Sequence, residues 1–183
     1  MSGRYKIRDG FKPHFITSTV VGWADAISRP EYKDIIVNSL RYCCQYKNLS
    51  VHAWVLMNNH IHLIVSAVND ADLPSIIRDF KKYTSSKLVD AISNNPTESR
   101  KKWLLNMFLF AGKGNNDNER YQFWQKDYHP VELSNDALFQ QRLDYLHANP
   151  VRAGIVREPQ HYLYSSAIDY YEQKPGLLII DML

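Results

Sequence analysis

Apolar residues recur along this chain in two periods, one suited to strands and one to helices. His14 to Trp23 (HFITSTVVGW) is rich in β-branched and aromatic residues, which predicts a first strand. Pro30 opens PEYKDIIVNSLRYCCQYKN, where Ile35, Ile36, Leu40, Cys43 and Cys44 follow helical spacing and predict a helix. Ser50 to Met57 and His60 to Ala67 are two strand-like runs. Asn58-Asn59 between them tolerates positive φ, which predicts a tight hairpin. From Asp72, the residues Ile76, Ile77, Phe80, Tyr83, Thr84 and Leu88 recur at the helical period, predicting a second helix with its basic side outward.

Asn94-Asn95-Pro96 breaks that helix, and a further helix is expected over Glu98 to Phe110. Residues 112–120 (GKGNNDNER) read as a polar loop that lacks the spacing of a phosphate-binding loop. Phe123-Trp124 and Tyr128 to Leu133 are candidates for a fourth short strand. Ser134-Asn135-Asp136 supplies an N-cap for ALFQQRLDYLHANP, a helix expected to end by Pro150. A short helix near Tyr164 to Tyr171 and an apolar tail, LLIIDML, complete the chain. The order β-α-β-β-α-(α)-β-α predicts an α+β fold, a ferredoxin-like (split βαβ) antiparallel sheet with helices packed on it. One domain is expected over 1–183, its core at about 14–170, since no repeat or boundary interrupts the pattern.

Composition changes this picture little. The chain has 183 residues, 45% hydrophobic and 22% charged, ordinary for a globular protein. Two adjacent cysteines give neither a disulfide framework nor zinc spacing. No apolar run reaches the roughly 18 residues of a membrane span, and the N-terminus lacks a signal-peptide core, so a cytoplasmic protein with no membrane partner is expected. Charge is more informative in its distribution than in its total of +3. Arg4, Lys6, Arg8 and Lys12 crowd the start, and Arg78, Lys81, Lys82, Lys87, Arg100, Lys101 and Lys102 follow in 78–102. With twelve tyrosines and four tryptophans, such charge suits single-stranded nucleic acid, which needs cations for phosphates and rings for bases. Lysine-rich helix faces and aromatic cores are the plainer alternative.

Chemistry concentrates first in His60-Ile61-His62. Side chains at i and i+2 of a strand share a face, so both imidazoles can reach one divalent ion. In HIHLIV, Leu63 and Val65 are expected on opposite faces of a strand covered on both sides. A polar pair at a sheet edge is the competing explanation for the histidines. Any third ligand has to come from elsewhere, and the helix before Pro150 is the leading source. There Tyr145 and Asn149 are four apart and share a side, Asn149 offering a hard carbonyl oxygen suited to Mg²⁺ or Mn²⁺. The alternatives are a packed aromatic for Tyr145 and a C-cap for Asn149.

The segments WVLMNNHIHLIV, DFKKYTSSKL, FWQKDY, LDYLHANPVRAGIV and HYLYSS, in that order, resemble the REP-associated tyrosine transposases. These are single-tyrosine transposases of the HUH nuclease superfamily. The resemblance implies that His60, His62 and Asn149 hold a Mg²⁺ or Mn²⁺ cofactor and that Tyr145 is the nucleophile. It also implies that Lys81, Lys82 and Lys87 lie on a basic helix near DNA. HPVEL after FWQKDY departs from the family pattern and keeps Tyr128 as a rival nucleophile, although only Tyr145 has an amide partner at i+4.

The implied activity is cleavage and rejoining of single-stranded DNA at hairpin (REP-like) sites through a 5′-phosphotyrosine, a transposition and recombination chemistry that needs no ATP. Arg4 and Lys6 of the N-terminal arm, the lysines of the second helix, and Arg152 in NPVRAG are expected to hold DNA backbone. Trp54, Trp124 or Tyr128 are candidates to stack bases, each with core packing as the alternative and, for Trp54 on a central strand, as the favoured reading; His52 is either an outer partner of the site or packed. A domesticated protein that binds hairpin DNA without strand transfer is the alternative function. An RNA-binding module is disfavoured by the missing RNP-type strand, and a small-molecule hydrolase would form no protein-bound intermediate. A homodimer remains open, with the apolar tail covering either its interface or the core.

Overall fold

A computed structural model describes residues 7, 9–113, 120–126 and 129–183. Arg4, Lys6, Arg8 and Tyr128 lie outside these. Five helices and four strands run in the order β1 (His14–Thr19), α1 (Pro30–Tyr46), β2 (Leu49–Leu56), β3 (His60–Ala67), α2 (Leu73–Asn94), α3 (Lys101–Gly112), β4 (Val131–Glu132), α4 (Asp136–Arg152) and α5 (Ala167–Glu172) among the described residues. The sheet order is β2-β3-β1-β4, with β3 antiparallel to both β1 and β2. β1 and β2 are therefore parallel with β3 between them, which is the split βαβ arrangement of an α+β, ferredoxin-like fold.

Two layers cover the sheet. Ile16, Ile61, Leu63 and Val65 face a core shared with Ile36 and Leu40 of α1 and with Ile77, Phe80 and Leu88 of α2. Phe15, Ala53, Val55 and Ile64 face a smaller core closed by Leu143 and Leu146 of α4 and by Tyr162. Leu63 and Val65 thus share one face, as i and i+2 must in an unbroken strand; it is Ile64 that crosses to the other layer. A bulge between Val51 and Ala53 lets β2 keep this alternation on both sides.

Several local expectations change. The first strand stops at Thr19, because Val21–Trp23 turns as a 3-10 helix through Gly22 and Trp23 at φ of 63° and 55°. The 58–59 turn forms without left-handed asparagines; Asn48 and Asn69 adopt positive φ instead. Hydrogen bonds position that turn, with Ile27 N–H donating to Asn58 O and Val20 N–H to Asn59 O. α4 continues past Pro150, since a proline in the last turn removes only one intrahelical bond. It ends in a Schellman motif, with Gly154 at φ 69° donating to Val151 O and Ile155 to Pro150 O.

The outer edge of β2 is covered by the chain's own later segments. Leu56 N–H donates to Tyr164 O, Ser166 N–H to Trp54 O, and Asp181 N–H to Val51 O. Leu178 of the apolar tail is buried in the larger core. No helix among the described residues is long and apolar enough to cross a membrane.

Candidate active site

The strand alternation that sends Ile61 and Leu63 to the larger core sends His60 and His62 to the α4 side, with their ring centroids 4.7 Å apart. β1 lies beside them in register, Thr17 opposite His62 and Thr19 opposite His60. Thr17 Oγ1 is 2.7 Å from His62 Nδ1. Phe15 stacks on the His62 ring at 5.2 Å and 26°.

α4 brings the second half of the constellation. Its N-cap is Asn135, whose side chain accepts from Leu138 N–H, and Leu143, Leu146 and Pro150 face inward. That orientation sets Tyr145 against the sheet at the histidines, its ring 5.4 Å from His62 and 6.1 Å from Phe15, in edge contacts. The phenol ring stays partly open to solvent at 38% exposure. Asn149, one turn on, donates from Nδ2 to Tyr145 O at 2.9 Å, which aims its Oδ1 away from the helix backbone. The C-cap is Ala153, so Asn149 is not one.

The protonation of the two imidazoles follows from their partners. Asn59 Nδ2 donates to Trp23 O, which fixes its amide so that Oδ1, an acceptor only, lies 2.6 Å from His60 Nδ1. His60 Nδ1 therefore carries a proton, and in the neutral ring the lone pair sits on Nε2. Burial lowers the His60 pKa; a bond to the Asn149 side chain opposes this and the charge of Lys33 adds to it. Burial, with smaller contributions from His60 and Arg142, pushes His62 down to about 3, so it is neutral at ordinary pH. His62 Nε2 is buried with no hydrogen-bond partner.

These donors fit a divalent cation. His62 Nε2, buried without a partner, the His60 imidazole and the Asn149 amide oxygen bring three ligand-type groups to one face of the sheet. Among the described residues no cluster of three or more His, Cys, Asp or Glu could hold a metal. A cation here would rest on two imidazoles and one amide, leaving coordination positions for phosphate and water.

The remaining expected residues fall elsewhere. Lys81, Lys82 and Lys87 lie on α2, whose apolar side packs in the core on the other face of the sheet. Lys81 donates to Gln125 O, and Lys87 Nζ lies 5.7 Å from the Tyr83 ring. Arg152 does join the site, its guanidinium 5.4 Å from the Tyr145 ring. Trp54 and Trp124 are buried core residues, closed to stacking with bases. His52 is packed, meeting Asp181 O and Ser66 Oγ rather than the other histidines.

Two site residues carried no sequence signal. Trp23, 62% exposed and in left-handed backbone, sets its ring edge 6.2 Å from His60. Arg142, one turn before Tyr145, stacks on Phe15. The YxHxNPVRAG and YxxSS segments also gain a physical meaning. Buried His147 bonds Ser166 Oγ at 2.9 Å, and that hydroxyl receives Trp54 N–H, tying α4 to β2.

Comparison with known proteins agrees with the fold. The model of the family described as "Transposase IS200 like" matches residues 24–113. A solved REP-associated tyrosine transposase bound to a REP hairpin superimposes with a TM-score of 0.67 at 17% identity, over 100% of this chain and 94% of that one, a likeness of fold. A candidate transposase of Deinococcus radiodurans R1, 16% identical over 80% of this chain and 97% of that one, has a TM-score of 0.44, too low to carry an argument. No curated protein matches the chain.

Proposed function

We propose that this chain, a member of the IS200-like transposase family, cleaves and rejoins single-stranded DNA at hairpin-associated sites through a covalent link between Tyr145 and a 5′-phosphate. The observation that carries the proposal is the 5.4 Å approach of the Tyr145 ring to His62, itself 4.7 Å from His60. A nucleophile of the right type stands beside two imidazoles that burial holds toward the neutral form. All of these groups come from one chain, which supports a site built within a single copy. The hairpin is extended to this protein from the REP hairpin bound to its structural neighbour.

In the reaction, the Tyr145 phenol oxygen attacks the phosphorus of a phosphodiester, and its proton leaves to solvent at the open side of the ring. The P–O3′ bond breaks, and the departing oxygen takes a proton to become a 3′-hydroxyl. One phosphodiester replaces another, so a second 3′-hydroxyl reverses the step with a new DNA end and no ATP is consumed. His60, His62 and Asn149 would hold Mg²⁺ or Mn²⁺, which when bound supplies positive charge to the phosphate oxygens. Phe15 and Thr17 keep the His62 ring oriented, and Asn59 does so for His60. Arg152 stands over the nucleophile's ring, where its charge attracts DNA phosphate. Lys81, Lys82 and Lys87 of α2 would bind DNA backbone, as would Arg4 and Lys6, which lie outside the described residues.

The test is to incubate a REP-like hairpin oligonucleotide with the protein and Mn²⁺ and to look for a covalent protein–DNA band on a denaturing gel. The expected band is absent in Tyr145→Phe and when Mn²⁺ is chelated. Hairpin binding with no band in the wild type would leave a DNA-binding protein that does not cut.

A further inference from the structure

Arg142 precedes Tyr145 by three residues, so the two share a side of α4 with Asn149. Its guanidinium lies 5.2 Å from the centre of the Phe15 ring, the same ring that stacks on His62. Tyr145 meets Phe15 edge-on. Arg142, Phe15, His62 and Tyr145 therefore form one continuous cluster, and Arg152 approaches the tyrosine ring as well. Arg142 Nε is buried and has no hydrogen-bond partner. An arginine side chain cannot escape this by losing its proton. A sealed donor without an acceptor costs stability, and the acceptor that suits a guanidinium best is a planar or tetrahedral oxyanion.

We propose that Arg142 is a further catalytic residue, donating a hydrogen bond to a non-bridging oxygen of the phosphodiester that Tyr145 attacks. The assignment rests on the tyrosine-transferase function proposed above. Arg142 makes and breaks no covalent bond and keeps its proton throughout. Its contribution is electrostatic: charge on the non-bridging oxygens has to be held while the tyrosine bond forms and the 3′-oxygen departs, and a fixed guanidinium does so without reorganising. Packing on Phe15 holds the guanidinium in place, and the enclosure of its Nε lowers the dielectric on that side of the group. Arg152, exposed and one helix end away, suits neighbouring phosphates.

The full-length chain, its Arg142→Met and Arg142→Lys variants and a hairpin oligonucleotide in Mn²⁺ test this. The readout is the single-turnover rate of covalent-complex formation, alongside thermal unfolding and Mn²⁺ affinity. Met preserves the packing stem and removes the donors, and the expected rate loss is about 100-fold. Lys, keeping charge without the fork, is expected to lose less. Mn²⁺ binding is not weakened, because removing a positive charge cannot repel a cation. A second substrate carries an uncharged methylphosphonate at the cleaved position, mapped from the wild-type product. It slows the wild type and slows Arg142→Met at least about tenfold less, since the variant has already lost the contact.

Rates within about threefold of wild type in folded Arg142→Met overturn the assignment. So does a methylphosphonate penalty equal in both proteins, or a rate loss matched by weaker Mn²⁺ binding, which would make Arg142 a support for His62 through Phe15. A wild type with no covalent band overturns the parent function and this assignment together, a result distinct from an active wild type with an equally active variant.

Discussion

The two faces of the sheet do different work, and β3 belongs to both. Its positions 61, 63, 65 and 67 are Ile, Leu, Val and Ala, all buried in the larger core with α1 and α2. Its positions 60, 62, 64 and 66 are His, His, Ile and Ser, on the side that α4 covers. One side is built mainly from apolar side chains, and the polar atoms it encloses are few: Trp54 Nε1 without a partner, and Trp124 Nε1 donating to Thr84 Oγ1. The other leaves His62 Nε2 and Arg142 Nε buried without partners, and sets Asn149 against His60. Orphaned polar atoms are tolerated there because the opposite core supplies most of the apolar burial that holds the strand in register. A period of two lets one strand serve stability and chemistry without either constraining the other.

Substitutions at adjacent positions of β3 separate the two roles. The largest effect on activity is expected from His62→Ala. The rate of covalent-complex formation should fall by more than the roughly 10–100-fold that losing an outer-shell partner costs, with Mn²⁺ affinity falling too and the fold retained. Leu63→Ala, one residue on, should do the reverse. Denaturant unfolding is expected to show a loss of about 2–5 kcal/mol, while Mn²⁺ affinity of the folded fraction stays unchanged. Equal effects of both substitutions on both measurements would erase the distinction between the faces.

Smaller changes sharpen it. Thr17→Val keeps the shape of the β1 side chain and removes the partner of His62 Nδ1, so Mn²⁺ affinity is expected to fall by about tenfold in calorimetry. Acid should act through the same face. His62 and His147 are held down to about 3 and about 4 by burial. The unfolded chain takes up protons there from its ordinary histidine pKa of about 6.5 downward. The unfolded state thus binds more protons, so stability is full above that pH and declines as pH falls toward 4. Equilibrium unfolding at pH 7 and pH 5 checks the sign. Lys87→Ala, on α2 behind the sheet, is expected to change the cleavage rate least, while lowering the salt dependence of hairpin binding by a slope of about 1.

Legibility in the sequence followed the range of the interaction. The helix from Pro30 and the strand from His60 begin where expected, because caps and periodicity are local signals. Pro150 misled the reading of α4, since the Gly154 Schellman motif, not the proline, stops that helix. The tryptophans stayed open between two roles for a different reason. Nothing local distinguishes a Trp that stacks bases from one that fills a core, and Trp54 and Trp124 are both buried.

The amino-acid sequence by itself determined the split βαβ order, the shared face of His60 and His62, and the shared side of Tyr145 and Asn149, because each depends only on repeat geometry within one element. The tertiary structure alone decided that those two faces meet, that the lysines of α2 lie behind the sheet, and that Arg142, Phe15 and Trp23 join the site. Such meetings depend on how α4 docks across β3, through Leu143, Leu146 and the His147–Ser166 bond, and contacts so distant along the chain leave no periodic trace in it.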